Sequence, residues 1–262
     1  MFEDRMRAYY LKFLENKSTF SRAELMQTMQ ENGKTISEAS FKLELQKMLK
    51  EGSIVRVGRN RYCVAKDGVG VYAYEYSDDA KAVAEILKKR FPYLDFTIMD
   101  FVQLNEFVNH QLAHNVIYVS VEEDLGAFVF DVLKEKYPGK VLFNPTPEIY
   151  HQYWYDGMIV VGKLVSEAPM GQKEKWNTRI EKLLVDVVTN AILLSSISEA
   201  ELTNIYEEAF AKYVIDESCM FRYAKRRGAE KKIREFIKKN TNVQLRVGVD
   251  KCLQEKILRK NT

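Results

Sequence analysis

The chain has 262 residues, 46% apolar and 29% charged, which suffices for a core in each of two domains and excludes a long disordered protein. No run approaches the roughly 18 apolar residues of a membrane span, and the charged start MFEDRMRAYYLKFLE contains no apolar signal core, so a cytoplasmic location is expected. The net charge of +3 hides a division: 13 basic against 9 acidic residues over 1–67, 13 against 22 over 68–215, and 14 against 6 over 216–262. Basic ends around an acidic middle exclude uniform adhesion to a polyanion and leave room for one dedicated nucleic-acid-binding end.

In chain order, Met6, Tyr9, Tyr10, Phe13 and Leu14 have the spacing of an amphipathic helix. Ser21-Arg22-Ala23-Glu24 is a capping-box signature opening a second helix that stops near Asn32-Gly33. Ser37 can cap a third helix. At 100° per residue, Glu38, Phe41, Leu45, Met48 and Leu49 fall on one side of it, and Ala39, Ser40, Leu43 and Lys47 on the other. Gly52 ends this helix, and SIVRVGRNRYCV follows at once: two β-prone runs joined by Gly58-Arg59-Asn60-Arg61. Asn60 suits a turn that needs positive φ.

Three helices and a basic hairpin are the order of a winged helix-turn-helix module over residues 1–67. A helix fits the major groove of DNA, and a cationic hairpin tip can follow the flanking phosphates. Ser40, Lys42 and Lys47 would then face base edges, with backbone contacts from Ser21, Arg22, Arg56, Arg59, Asn60 and Arg61. Arginines on an exposed hairpin can also be merely solvated, and a winged helix can instead dock a protein.

Residues 65–70 have the composition of a linker, and an α/β domain is expected over 71–240. Its expected strands are Val71 to Tyr76, Leu94 to Met99, Val116 to Val121, Val141 to Phe143 and Met158 to Val161. Helices are expected from Ser77, over Leu104 to Leu112 and over Leu125 to Lys136. A helical C-terminal part follows: Ile180 to Leu194, a second capping box at Ser198 to Glu201, Ser218 to Arg227 and Ala229 to Lys239, then a charged tail over 241–262. The fold class is thus α/β, or α+β overall.

Motifs for chemistry are scarce. The chain contains no GxxxxGK[ST], GxGxxG or GxSxG. Cys63, Cys219 and Cys252 form no CxxC pair, and His110 and His114 have no third ligand at a telling distance, so no metal, cofactor or catalytic residue is expected. Asp100 and Glu122, each near a strand end, can be read as acids of a restriction-endonuclease-like core. The lysine wanted two residues after the second acid is replaced by Asp124. Glu181, Lys182 and Asp186 would ordinarily lie on an exposed stripe, or one of them can pair with Arg222, Lys225, Arg226 and Arg227. That basic cluster is interleaved with Phe221 and Tyr223 and is a possible second nucleic-acid patch.

The basic hairpin together with LDFTIMDFVQLNEF (94–107), VIYVSVEED (116–124), LFNP (142–145), the stretch from SEAP to EKLLVDVV (166–188) and the YEEAFAKYVID to FRYAKRRG end (206–228) resembles the AbiEi-like antitoxins of bacterial type IV toxin–antitoxin systems. The resemblance implies a non-enzymatic transcriptional regulator that represses its own promoter by binding inverted repeats in double-stranded DNA, two copies on the site. It also implies a functional partner, a nucleotidyltransferase-type toxin, with which a stable complex need not form. The acidic stretch 68–215 departs from a domain that lies wholly on DNA. A nuclease with a winged-helix targeting domain, and a winged-helix adaptor that binds protein, are the alternatives.

Overall fold

The structure is a computed structural model that describes residues 11–14, 17, 19–32, 36–58, 60–65, 69–171 and 174–245. Met6, Tyr9, Tyr10, Gly33, Arg59, Cys252 and most of the charged tail lie outside the described residues. The chain is mixed α/β and divides into two compact units. One comprises Met1–Val71 with Ala211–Cys219 and Gln244–Thr262, the other Tyr72–Phe210 with Met220–Val243.

In the first unit, residues 11–14 are helical, followed by α1 (Arg22–Glu31), α2 (Glu38–Glu51), β1 (Ile54–Gly58) and β2 (Arg61–Val64). Ser21 and Glu24 make the full capping box, each side chain accepting from the other's backbone N–H. Ser37 caps α2 by accepting from the Ser40 amide, and Gly52 closes it at φ +74°. The last turn of α2 therefore leads straight into the antiparallel β1–β2 pair. A bridge outside the named strands adds to it: Phe20 and Tyr62 exchange both backbone hydrogen bonds at 2.8 Å. Leu11, Leu14, Phe20, Leu25, Met29, Phe41, Leu45, Met48, Ile54 and Tyr62 form one core. Of the residues expected on the packing side of α2, Glu38 is exposed instead, because its carboxylate serves an ion pair. The supposed linker reaches further than its composition suggests, since Gly70 exchanges backbone hydrogen bonds with Lys212 and Val214.

The second unit holds α3 (Asp78–Arg90), β3 (Phe96–Asp100), a 3-10 turn over Phe101–Glu106, β4 (Val116–Val121), α4 (Gly126–Lys136), β5 (Val141–Phe143), α5 (Pro147–Tyr153) and β6 (Met158–Lys163). It continues with α6 (Ile180–Thr189), α7 (Ala191–Ser195), α8 (Glu199–Lys212), α9 (Glu217–Arg226) and α10 (Glu230–Asn240), of which the last two residues of α8 and the start of α9 belong to the first unit. The sheet order is β3-β4-β6-β5, with β3 antiparallel to β4 and the other neighbours parallel. The outer edge of β3 is covered: the Ile98 amide donates to Trp176 O and the Thr178 hydroxyl donates to Ile98 O. Alternate residues Ile117, Val119, Val121, Ile159 and Val161 join Val83, Leu87, Val129 and Leu133 in the main core.

Four expectations are corrected. Val71 to Tyr76 is not a strand; its two-residue alternation is real, but Tyr74 and Tyr76 are held by hydroxyl hydrogen bonds to Asp100 and from Thr178 N rather than by a ladder. The helix expected over Leu104 to Leu112 is the short 3-10 turn, after which Asn105 folds the chain back through paired hydrogen bonds with Leu112. The helix expected from Ile180 to Leu194 breaks at Asn190, whose ψ of 115° ends α6 and whose Oδ1 caps α7. Helix α5 was not expected at all, although Thr146 at its N-cap and Pro147 in its first turn are a legible start signal.

Candidate nucleic-acid interface

The residues that the periodicity of α2 turns outward, Ala39, Ser40, Leu43 and Lys47, are exposed, and so are Lys42 and Glu38. Phe41, Leu45 and Met48 are buried, while Leu43 is 68% exposed. Lys47 lies 4.0 Å from Glu51, a surface pair too weak to remove its charge from play. Ser40 also belongs to the cap, since its hydroxyl accepts from Ser37 Oγ at 3.0 Å.

Arg22 joins three elements. Its backbone N–H donates to Asn60 Oδ1 at 3.1 Å, its guanidinium donates to Glu38 at 2.8 Å, and the same group sits 5.2 Å over the Phe41 ring. The hairpin tip is thereby fastened to the start of α1, and α1 to the start of α2. Asn60 has φ +55°, the left-handed conformation expected of it, and its side chain is occupied by this contact. Ser21 likewise spends its hydroxyl on the cap. Glu24, which completes the capping box, is held below its ordinary carboxylate value by hydrogen bonds from Lys17 and from the Ser21 backbone. Arg56 is exposed and Arg61 half-buried. Exposed α2 residues and the arginines thus share one small unit, while Asn60, Arg22 and Ser21 shape it. Sequence spacing did not foresee the link from Asn60 to Arg22, 38 residues apart.

The second basic cluster is partly neutralised within its own unit. Arg222 and Arg226 converge on Glu167, at 3.3 and 2.5 Å, and Glu167 itself has φ +62°. Lys225 is exposed. Arg227 is 19% exposed and lies 3.9 Å from Asp186. The charges of α6 are buried rather than striped along an exposed face: Glu181 and Lys182 are each 2% exposed. Lys182 donates to Asp186 at 2.5 Å, Tyr223 donates to the other carboxylate oxygen at 2.9 Å, and Arg179 donates to Glu181 at 2.8 Å. Burial, and then the Asp186 charge, raise the Tyr223 hydroxyl far above its usual value.

The two carboxylates considered for cleavage do not meet. Asp100 pairs with Ile117 in the β3–β4 ladder, whereas Glu122 follows Val121, which pairs with Phe96. They stand at opposite ends of the strand pair, roughly 17 Å apart at about 3.4 Å per residue. Asp100 is fully buried and accepts from Ser77 N (2.8 Å), Ser77 Oγ (3.1 Å), Asn115 Nδ2 (2.9 Å) and Tyr74 (3.4 Å). Its role here is to tie α3 and the loop before β4 to the end of β3.

The histidines separate as well. His110 contacts Glu201 at 2.7 Å and His114 lies 3.8 Å from Asp156. The Glu201 carboxylate, expected to complete a capping box, instead accepts from His110 and from the Asn109 amide, and the His110 contact first of all lowers it to about 2. Among the described residues no group of three His, Cys, Asp or Glu is placed to hold a metal. Cys63 and Cys219 are buried and outside any disulfide. Among the described residues no helix is long and apolar enough to cross a membrane.

A family of unknown function, DUF6577, matches residues 40–243. The chain belongs to that family. The span shared with other DUF6577 members begins within α2 and takes in the hairpin and all of the second unit, so Ser21 and Arg22 precede it. No curated protein matches this DUF6577 chain. Among solved structures, the crystal structure of the RV2827C protein from Mycobacterium tuberculosis is similar over 92% of this chain and 83% of its own, at 11% identity and a TM-score of 0.23.

Proposed function

We propose that this DUF6577 protein is a DNA-binding transcriptional regulator whose first unit is a winged helix-turn-helix, with α2 as the recognition helix and β1–β2 as the wing. The observation that carries the reading is the outward face of α2, with Ser40, Lys42, Leu43 and Lys47 exposed over a buried Phe41, Leu45 and Met48, continuing directly into a hairpin that bears Arg56 and Arg61. Lysines and a serine on a helix free to enter a major groove can reach base edges, and the leucine can meet a thymine methyl. The hairpin arginines add phosphate contacts, which set affinity and register more than sequence preference. The resemblance to AbiEi-like antitoxins supports the narrower form of the reading: an autorepressor paired with a nucleotidyltransferase-type toxin, acting in the cytoplasm without an enzymatic step of its own. The separation of Asp100 from Glu122 favours the regulator over the nuclease alternative.

Titration of fluorescent duplex from the region upstream of the protein's own gene, over a range of salt concentrations, tests this. Each phosphate contact contributes about 0.9 to the slope of log affinity against log salt, so Arg56→Ala with Arg61→Ala flattens that slope by about 2. An unchanged slope removes the hairpin from the interface. Failure of the unmodified protein to shift any upstream fragment at low salt favours the protein-docking adaptor.

A further inference from the structure

The sheet of the second unit treats its two faces differently. While Ile117, Val119, Val121, Ile159 and Val161 enter the apolar core, the alternate residues Tyr118, Ser120, Val160 and Gly162 border a cleft of about 340 Å³. It opens at the carboxyl ends of the three parallel strands, where Ser120 nears the end of β4, Asn144 follows β5 and Gly162-Lys163 closes β6. Open α/β sheets hold their ligands at that end. Asp186, Asn190, Ile192 and Arg227 form the opposite wall.

Two features separate this cleft from a packing gap. The first is Gly162, which has no positive φ. A Cβ built there meets only Asn144 Oδ1, at 3.8 Å, so neither backbone conformation nor crowding calls for glycine. A strand glycine under open space leaves room for something to approach the backbone closely. The second is Arg227. Asp186 is already satisfied by Lys182 at 2.5 Å and Tyr223 at 2.9 Å, while Arg227 comes no nearer than 3.9 Å. Lys182, Asp186 and Arg227 together carry a surplus positive charge, and Arg227, which also hydrogen-bonds the Tyr223 hydroxyl, has five donors in its planar fork, more than that contact uses. Two further polar groups can donate, while Asn144 presents Oδ1 as an acceptor near Gly162. Asn190 uses Oδ1 to cap α7 and so keeps its Nδ2 for donating, and Ser120 offers a hydroxyl.

We propose that this cleft binds a small organic phosphate of mononucleotide size, with the phosphate on Arg227 and the apolar walls of Val160, Val165 and Ile192 against the body of the ligand. A donor-rich, net cationic site suits a phosphate, whose three oxygens all accept, better than a carboxylate with two. The volume lies at the small end of the roughly 300–1,000 Å³ of ligand clefts, which excludes a dinucleotide. The site is independent of the DNA-binding reading and stands or falls separately from it.

Calorimetric titration of the full chain with 5′-AMP, 5′-GMP, 5′-CMP and 5′-UMP, and with citrate as a carboxylate control, tests the proposal. At least one mononucleotide binds the unmodified protein, and citrate does not. Gly162→Val fills the cleft and abolishes binding. Arg227→Gln leaves Asp186 with Lys182 and Tyr223, so the fold survives, and it weakens binding at least about tenfold. If Gly162→Val fails to fold, Arg227→Gln decides alone. No response to any of the four mononucleotides, equal binding of citrate, or unchanged affinity in Arg227→Gln overturns the assignment.

Discussion

The two units place charge in opposite ways. The first keeps an apolar core of Leu25, Met29, Phe41, Met48 and their neighbours and sends Lys42 and Lys47 to the surface, its buried Glu217 lying in the separate Ala211–Cys219 segment. The second takes charge into its interior: Asp100, Glu181, Lys182 and Asp186 are all less than one-tenth exposed. Surface charge of the first kind costs the fold little and is available to a polyanion. Buried charge of the second kind must be matched group by group, so it constrains the fold and does little for long-range attraction. The unit that neutralises itself internally is also the one whose sequence is acidic overall, which is why DNA contact is assigned to the other.

If that contrast holds, single substitutions in the two units should differ in kind. The largest effect is expected at Asp186. Asp186→Ala leaves Lys182 buried without its carboxylate and should destabilise the protein by about 4 kcal/mol in urea unfolding, whereas Lys182→Met with Asp186→Leu should recover most of that loss. Recovery failing in the double variant would mean that the pair specifies the packing rather than merely balancing itself.

Asp100→Ala removes the acceptor shared by Ser77 and Asn115 and should cost about 3 kcal/mol by the same measurement. A loss below about 1 kcal/mol would show that water replaces the carboxylate there. A smaller effect, whose pH dependence falls in acid, is expected at Glu201. Its carboxyl is lowered to about 2 from a reference of 4.5, first by His110, so its stabilisation is present above pH 4.5 and is lost as pH falls from 4.5 towards 2. Glu201→Gln should therefore flatten that part of the stability curve by lowering stability across the neutral range, the variant and the unmodified protein converging as pH approaches 2. An identical acid limb in the variant would place the linkage elsewhere.

The same contrast explains what could be read in advance. Local signals survived: the Ser21–Glu24 capping box, Gly52 closing α2, the positive φ of Asn60, and the bounded apolar runs Val116–Val121 and Val141–Phe143 are all short-range consequences of side-chain chemistry. The misreadings arose where a distant partner overrode local preference. Tyr74 and Tyr76 have strand-like alternation but are claimed by Asp100 and Thr178. Glu201 has cap spacing but is drawn to Asn109 and His110, more than 90 residues away. Asn190 interrupts an apolar run that periodicity alone would continue. Asp100 and Glu122 looked equivalent as strand-end acids, and only the antiparallel register separates them. The cleft beneath Arg227 was not legible either, because its walls come from two strands, two helices, the loop after β5 and the residue after α9, which meet only in the folded chain.

The most direct measurement is affinity for the upstream duplex after charge reversal in each unit. Lys42→Glu with Lys47→Glu on the exposed face of α2 should abolish specific binding, while Arg222→Glu with Lys225→Glu, drawn from a cluster partly matched by Glu167, should weaken it far less. Equal losses in the two double variants, or binding that survives reversal on α2, would contradict the assignment of DNA recognition to the first unit.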